Sequence, residues 1–259
     1  MWRSYVAVGD SFTEGMDDPD PHTGVYRGWA DLVAIRLAAE VADFQYANLA
    51  IRGRLFDNIV EEQVPPTLRM QPDLVSFAAG GNDALRRGFQ PAVLIERLDH
   101  VIGMLRAAGA GVVVFRFADV TSRLPGQRLI LPRVQLLNRA VGEIADKHGA
   151  MLVDLWADHE FHNPALWSAD RLHMNAIGHR RVAAHVLTAI GVKPEENWFD
   201  VVPRPVTRSW AAARAADARW TRQHLAPWIK RRLTGQSSGD NITAKQPTLA
   251  PVRIDQGQS

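Results

Sequence analysis

The 259 residues contain no cysteine. That absence excludes disulfides, thiolate metal ligands and a cysteine nucleophile together, and it leaves the redox compartment unreported. No run of about 18 uncharged apolar residues occurs, so no transmembrane helix is expected. The chain reaches a polar cluster by Asp10, with no room before it for a secretory apolar segment and cleavage site, and a cytoplasmic location is the expectation. Net charge is small, +2, but unevenly placed: Pro203 to Leu233 hold eight Lys or Arg against one Asp. An acidic body with a basic attachment follows from that asymmetry. Hydrophobic residues at 46% and charged residues at 22% match a folded globular chain rather than a disordered or collagenous one.

Short apolar runs alternate with longer segments of three-and-four spacing. Ser4–Gly9, Asp43–Ala50, Leu74–Ala79, Gly111–Ala118 and Met151–Trp156 read as strands, being short and rich in Val and aromatic residues. Between them, patterns such as Val93, Leu94, Leu98, Val101, Ile102 and Leu105 read as amphipathic helices. Near-continuously apolar strands separated by helices require a parallel sheet covered on both faces. The expected fold is therefore a three-layer α/β/α body over residues 1–192 with a five-stranded parallel sheet, its last helix Ala176–Ile190 capped by Asn175. Residues 193–233 read as a Pro-rich connector and a basic Ala/Arg/Trp helical arm that stops at Pro227 and packs back on the body through its tryptophans. Residues 234–259, polar and poor in large apolar side chains, are expected to be disordered.

In an open parallel sheet, ligands bind beyond the carboxyl ends of the strands. The first strand runs into Gly9-Asp-Ser-Phe-Thr-Glu-Gly15, which puts the Ser11 hydroxyl at a strand-to-helix turn near free N–H groups and a helix dipole. Gly53, after the second strand, offers a backbone N–H that no Cβ shields. Gly80-Gly-Asn82-Asp83, after the third, permits close backbone approach and supplies an amide donor. Asp170-Arg-Leu-His173 precedes the last helix, and a His three residues from a carboxylate can give it Nδ1–H while Nε2 faces outward as a base. A serine, its base, a carboxylate that orients the base, and three donors (Ser11 N–H, Gly53 N–H, the Asn82 amide) are the parts that acyl transfer needs. Asp10 and Asp83 read as side chains that hold the loops.

These four motifs, in this order, resemble those of the SGNH hydrolases, the GDSL-type esterases and lipases, and most closely their bacterial thioesterase and lysophospholipase branch. The resemblance spans roughly residues 4–190. It implies a flavodoxin-like fold, Ser11 as nucleophile, His173 as base with Asp170, and an oxyanion hole from Ser11, Gly53 and Asn82. No metal or organic cofactor is expected, and the substrate is a small acyl ester. An acyltransferase working through the same acyl-enzyme is the alternative. Two further readings belong to other classes: a metal-dependent hydrolase using Asp158, His159, Glu160 and His162, and a noncatalytic domain cradling a phosphate at Gly9–Gly15. No nucleic-acid module accompanies the arm, and a peripheral surface or oligomer contact is its expected role. The acyl pocket is expected from the loops 16–27, 86–89 and 155–169, with Trp156, Phe161 and Trp167 lining it and Asp17, Asp18 and Asp20 making one rim acidic.

Overall fold

The computed structural model describes residues 2–20, 23–205, 209–234 and 237–252. The five expected strands are present as β1 (Ser4–Gly9), β2 (Gln45–Asn48), β3 (Leu74–Ala78), β4 (Gly111–Arg116) and β5 (Met151–Asp154). All pair in parallel, in the order β5-β4-β3-β1-β2. The chain winds in opposite directions from β1, so the carboxyl ends of β1 and β3 flank the switch point where such sheets bind ligands. Alternation along β1 divides the core. Tyr5 and Ala7 face a layer with Trp29, Phe115 and Val186, whereas Val6 and Val8 face one with Phe56, Phe77 and Leu105. The first layer comes chiefly from helices α2 (Gly28–Ala38) and α7 (Ala176–Ala189), the second from α3 (Phe56–Met70), α5 (Pro91–Ala107) and α6 (Gln127–His148). Two helices are single turns at strand ends, α1 (Ser11–Glu14) and α4 (Gly81–Ala84).

The sheet has a sixth strand, β6 (Gln246–Pro251), antiparallel to β2 at its edge. It arises from the tail expected to be disordered; residues 235–236 and 253–259 of that tail lie outside the described residues. Composition misled because the strand is held by a neighbour rather than by its own apolar content. The Lys245 ammonium lies among the carbonyls of Glu14 (2.7 Å), Tyr26 (3.0 Å) and Arg27 (2.8 Å) and the Asp31 carboxylate (2.7 Å). β6 also covers the edge that β2 would otherwise expose, and Pro247 and Pro251 are tolerated because the strand is itself an edge.

The arm is helical but does not stop at Pro227. Helix α8 (Trp210–Trp220), with Ser209 Oγ accepting from Ala212 N–H (3.3 Å), passes through a π-helical turn at Thr221–Leu225 into α9 (Ala226–Leu233). Pro227 follows directly on the π-helical turn, in which Ala226 N–H reaches back to the Thr221 carbonyl, so the widened turn takes up a proline within a continuous helix. Of the tryptophans, Trp220 packs on the body while Trp210 is 76% exposed.

Candidate active site

Ser11 follows β1 directly and is the first residue of α1. The Asp10 carboxylate accepts from Phe12 N–H (3.1 Å) and caps that turn. The turn is fixed from the other side by a close crossing: Gly15, at φ +91°, lies against Gly28 so tightly that a Cβ on Gly28 would come within 2.2 Å of the Gly15 Cα. With one turn only, α1 offers Ser11 less dipole than a long helix would, and the position of the hydroxyl matters more.

The loop between Ser168 and Met174 brings Asp170 and His173 to that hydroxyl. His173 Nε2 lies 2.9 Å from Ser11 Oγ, and His173 Nδ1 lies 2.5 Å from Asp170 Oδ2. A carboxylate at Nδ1 assigns the proton to that nitrogen and leaves Nε2 as the acceptor for the serine hydroxyl. Asp170 is itself anchored, accepting from Ser168 Oγ (2.6 Å) and from the N–H groups of Leu172 (2.9 Å) and His173 (3.0 Å) on Oδ1. Burial works to raise its pKa, but the hydrogen bond and charge of His173, with the Ser168 and backbone donors, outweigh it and hold the carboxyl well below the usual range. Burial conversely works against the imidazolium of His173, yet the Asp170 hydrogen bond and charge, with Asp17 and Asp10 behind them, raise its pKa.

Gly53 and Asn82 line the same cleft as Ser11 and His173. Gly53 is at φ +75°, in the left-handed region that only glycine enters without strain. Its loop is held by Glu14, whose buried carboxylate accepts from Arg52 N–H (2.7 Å) and pairs with the Arg52 guanidinium. The Asn82 amide donates to Asp10 Oδ2 (3.0 Å) and to the Arg54 carbonyl (3.1 Å). Asp83 accepts from Phe56 N–H (3.0 Å), so Asp10 and Asp83 hold loops as the sequence reading expected. Burial pushes the Asp10 carboxyl up to about 6.

The rival readings find no support in these contacts. The Asp158 carboxylate is taken by Arg181 (2.6 Å) and His185 (2.7 Å), Glu160 accepts from Asn163 (2.8 Å), and Phe161 is buried in the core. Those side chains are spent on structure. Among the described residues one group has ligating atoms close enough together for a metal ion, Asp17, Asp170 and His173, and both His173 nitrogens there are engaged by Ser11 and Asp170. A phosphate at Gly9–Gly15 would meet the Asp10 carboxylate already seated on the turn.

Below Ser11 lies an apolar cavity of about 120 Å³. Phe12 forms part of its wall, its ring centroid 5.3 Å from that of Trp29 and 5.8 Å from that of Phe117. The expected loops supply less of this cavity than expected. Trp167 lines it, but Phe161 is in the core and Trp156 packs on the opposite face of the sheet. Phe117 and Val120, after β4, and Ile130, Val134 and Leu137 of α6 take their place. Of the three carboxylates expected at the rim, Asp17 is there, its ligating oxygen within 4.8 Å of the ligating atoms of Asp170 and His173, whereas Asp18 is buried against Gly28 N–H (3.1 Å) and Asp20 closes its own turn by accepting from Thr23.

A protein-family model described as GDSL-like lipase/acylhydrolase matches residues 7–181. The chain belongs to that family. Its relatives in the GDSL-like family include an arylesterase of Vibrio mimicus, 26% identical over 172 residues, covering 65% of this chain and 78% of the relative. Another is esterase TesA of Pseudomonas aeruginosa, 28% identical over 176 residues, covering 66% of this chain and 79% of that one. A crystal structure of TesA superposes with a TM-score of 0.60 at 24% identity, over 73% of this chain and 98% of the other. An acetylxylan esterase from Geobacillus stearothermophilus gives 0.61 at 18% identity, over 78% and 97%. The α/β/α fold is thus that of GDSL esterases, and the chain is a carboxylic ester hydrolase. Among the described residues no helix is long and apolar enough to cross a membrane. The GDSL-like match ends before the arm. Motif reading accordingly missed Trp220, Trp228, Ser237 and Ser238, which line the cleft.

Proposed function

We propose that this GDSL-family protein hydrolyses carboxylic esters through an acyl-enzyme on Ser11. The observation that carries the reading is the continuous hydrogen-bonded line from Ser11 Oγ through His173 (2.9 Å) to Asp170 (2.5 Å), within the reach that general-base catalysis requires. Ser11 Oγ attacks the acyl carbon as His173 Nε2 takes its proton. The oxyanion is met by the N–H groups of Ser11 and Gly53 and by the Asn82 amide, which gives up its hydrogen bond to the Arg54 carbonyl for the stronger charge-assisted one. Collapse returns the His173 proton to the departing alkoxide, and a water activated by the same base then releases the acid. Asp170 stays ionised throughout and fixes the tautomer.

The cavity below Ser11 is the acyl site. At about 120 Å³ it is near the roughly 150 Å³ that accommodates a benzene ring, so acyl chains of about four to six carbons fit best. Initial rates on p-nitrophenyl acetate, butyrate, octanoate and palmitate test both statements. Butyrate is expected to be turned over faster than palmitate, Ser11→Ala to lose about 10⁴-fold or more in kcat, and EDTA to change nothing. Full activity in Ser11→Ala would sink the nucleophile assignment.

A further inference from the structure

Beyond the acyl cavity, the cleft opens into a second chamber of about 360 Å³ whose far wall comes from the arm. The arm is docked on the loop that carries Asp170 and His173. Trp220 Nε1–H donates to the Asp170 carbonyl (2.9 Å), Asp217 pairs with Arg171 (2.7 Å), and the Arg171 guanidinium lies 4.8 Å over the Trp220 ring. These contacts fix the indole plane. The chamber is bounded on this side by Trp220, Leu225, Pro227 and Trp228, and on the other by Leu124 and Pro125. Beyond α9, the chain crosses the cleft again, where the Ser237 and Ser238 hydroxyls would lie 2.4 and 2.7 Å from a Cβ on Gly53. Lys245 and β6 then secure it to the body.

We propose that this chamber is the leaving-group site, and that Trp220 and Trp228 of the arm select esters whose alcohol half is aryl or arylalkyl. The inference rests on the serine-esterase reading above. The departing oxygen must receive its proton from His173, so the alcohol half lies on the imidazole side of Ser11. Asp170 and Trp220 line this chamber and not the acyl cavity. The acyl cavity is walled by residues of the sheet ends and α6, and holds the half that stays bound. Two indoles and two prolines present flat apolar faces, against which an aromatic ring packs with better contact than a short alkyl chain does. The alcohol then leaves between arm and body.

Butyrate esters of ethanol, benzyl alcohol and 1-naphthylmethanol separate size from chemistry, because the three alkoxides differ little in basicity. The full-length wild type is expected to show higher kcat/KM for the benzyl and naphthylmethyl esters than for the ethyl ester. In Trp228→Ala the benzyl-to-ethyl ratio is expected to fall about tenfold, the range that hydrophobic pockets discriminate by. Gln223→Trp, at an exposed position lining the chamber, adds bulk and is expected to reject the naphthylmethyl ester selectively; it serves where Trp228→Ala fails to fold. Ratios that stay at the wild-type value in both folded variants overturn this assignment and leave the esterase reading intact. A wild type that turns over none of the three esters and does not react at Ser11 with a fluorophosphonate overturns both.

Discussion

His173 has more negative charge around it than a triad requires. Asp170 holds one nitrogen, while Asp17 lies within 4.8 Å of the same group of ligating atoms and adds a second charge that favours the imidazolium. Asp17 takes φ +69° to be there, a conformation that a non-glycine residue enters at some cost. The consequence for pH is definite in sign. In the proposed mechanism His173 acts only when neutral, and its pKa is raised, so the rate is expected to climb with pH around a midpoint above the ordinary imidazole value of about 6.5. Asp17→Asn removes one of the raising charges without touching Ser11 or Asp170. Its kcat/KM profile is therefore expected to keep the same shape with the midpoint moved to lower pH. A midpoint that does not move would show that Asp17 has no electrostatic part in the site.

At the level of elements, the body and the helical character of the arm were legible in the sequence, and the tail strand was not. The alternation of Val6 and Val8 against Tyr5 and Ala7 reports a strand covered on both faces, and such a pattern survives in any context. The strand-end motifs were legible for a related reason. Ser11, Gly53, Asn82, Asp170 and His173 each sit at a fixed place relative to a strand end or the last helix, and topology then brings those ends together. The cavity below Ser11 was less legible because helical periodicity does not separate residues facing the core from those, such as Ile130 and Leu137 of α6, that line the cleft. β6 was not legible at all, because its strongest anchor is Lys245, a residue that composition counts as solvent-loving. That anchor is testable. Lys245→Met keeps the side-chain length and removes the charge, leaving the Asp31 carboxylate with Tyr46 Oη (2.6 Å) and no cation. The pair is partly buried, so removing its cation is expected to cost less than the about 3–5 kcal/mol of a fully buried pair. The variant is expected to show a lower urea midpoint and faster hydrogen exchange in β2, where β6 no longer covers the edge. An unchanged midpoint would mean that strand pairing alone holds the tail.

On the scale of the whole molecule, acid stability is set by buried groups that pull in opposite directions. His179 is neutral in the fold: Nδ1 accepts from Trp29 N–H (3.3 Å), Nε2 donates to the Met16 carbonyl (3.1 Å), and burial pushes its pKa down to about 4. The unfolded chain takes up that proton near pH 6.5, so between about pH 6.5 and 4 this residue makes stability fall as pH falls. Asp10 does the reverse. Burial pushes its pKa up to about 6, so between about pH 6 and 4 the folded state binds the proton first and gains stability as pH falls. Each shift corresponds to about 3 kcal/mol, and Asp31 and Asp83, both raised by burial, act in the same direction as Asp10. The urea midpoint of the wild type is therefore expected not to fall between pH 6.5 and 4. Below that it is expected to drop, as protonation breaks the Asp158 and Asp170 networks, whose carboxyls the paired His and Arg groups hold below their ordinary range against the effect of burial. Asp10→Asn removes the main opposing group and exposes the His179 contribution. Relative to wild type, its stability is expected to fall by about 3 kcal/mol more as pH drops from about 6 to 4, read as a gap between the two urea midpoints that widens over that interval. Parallel curves for the two proteins would place the acid response elsewhere than in this pair.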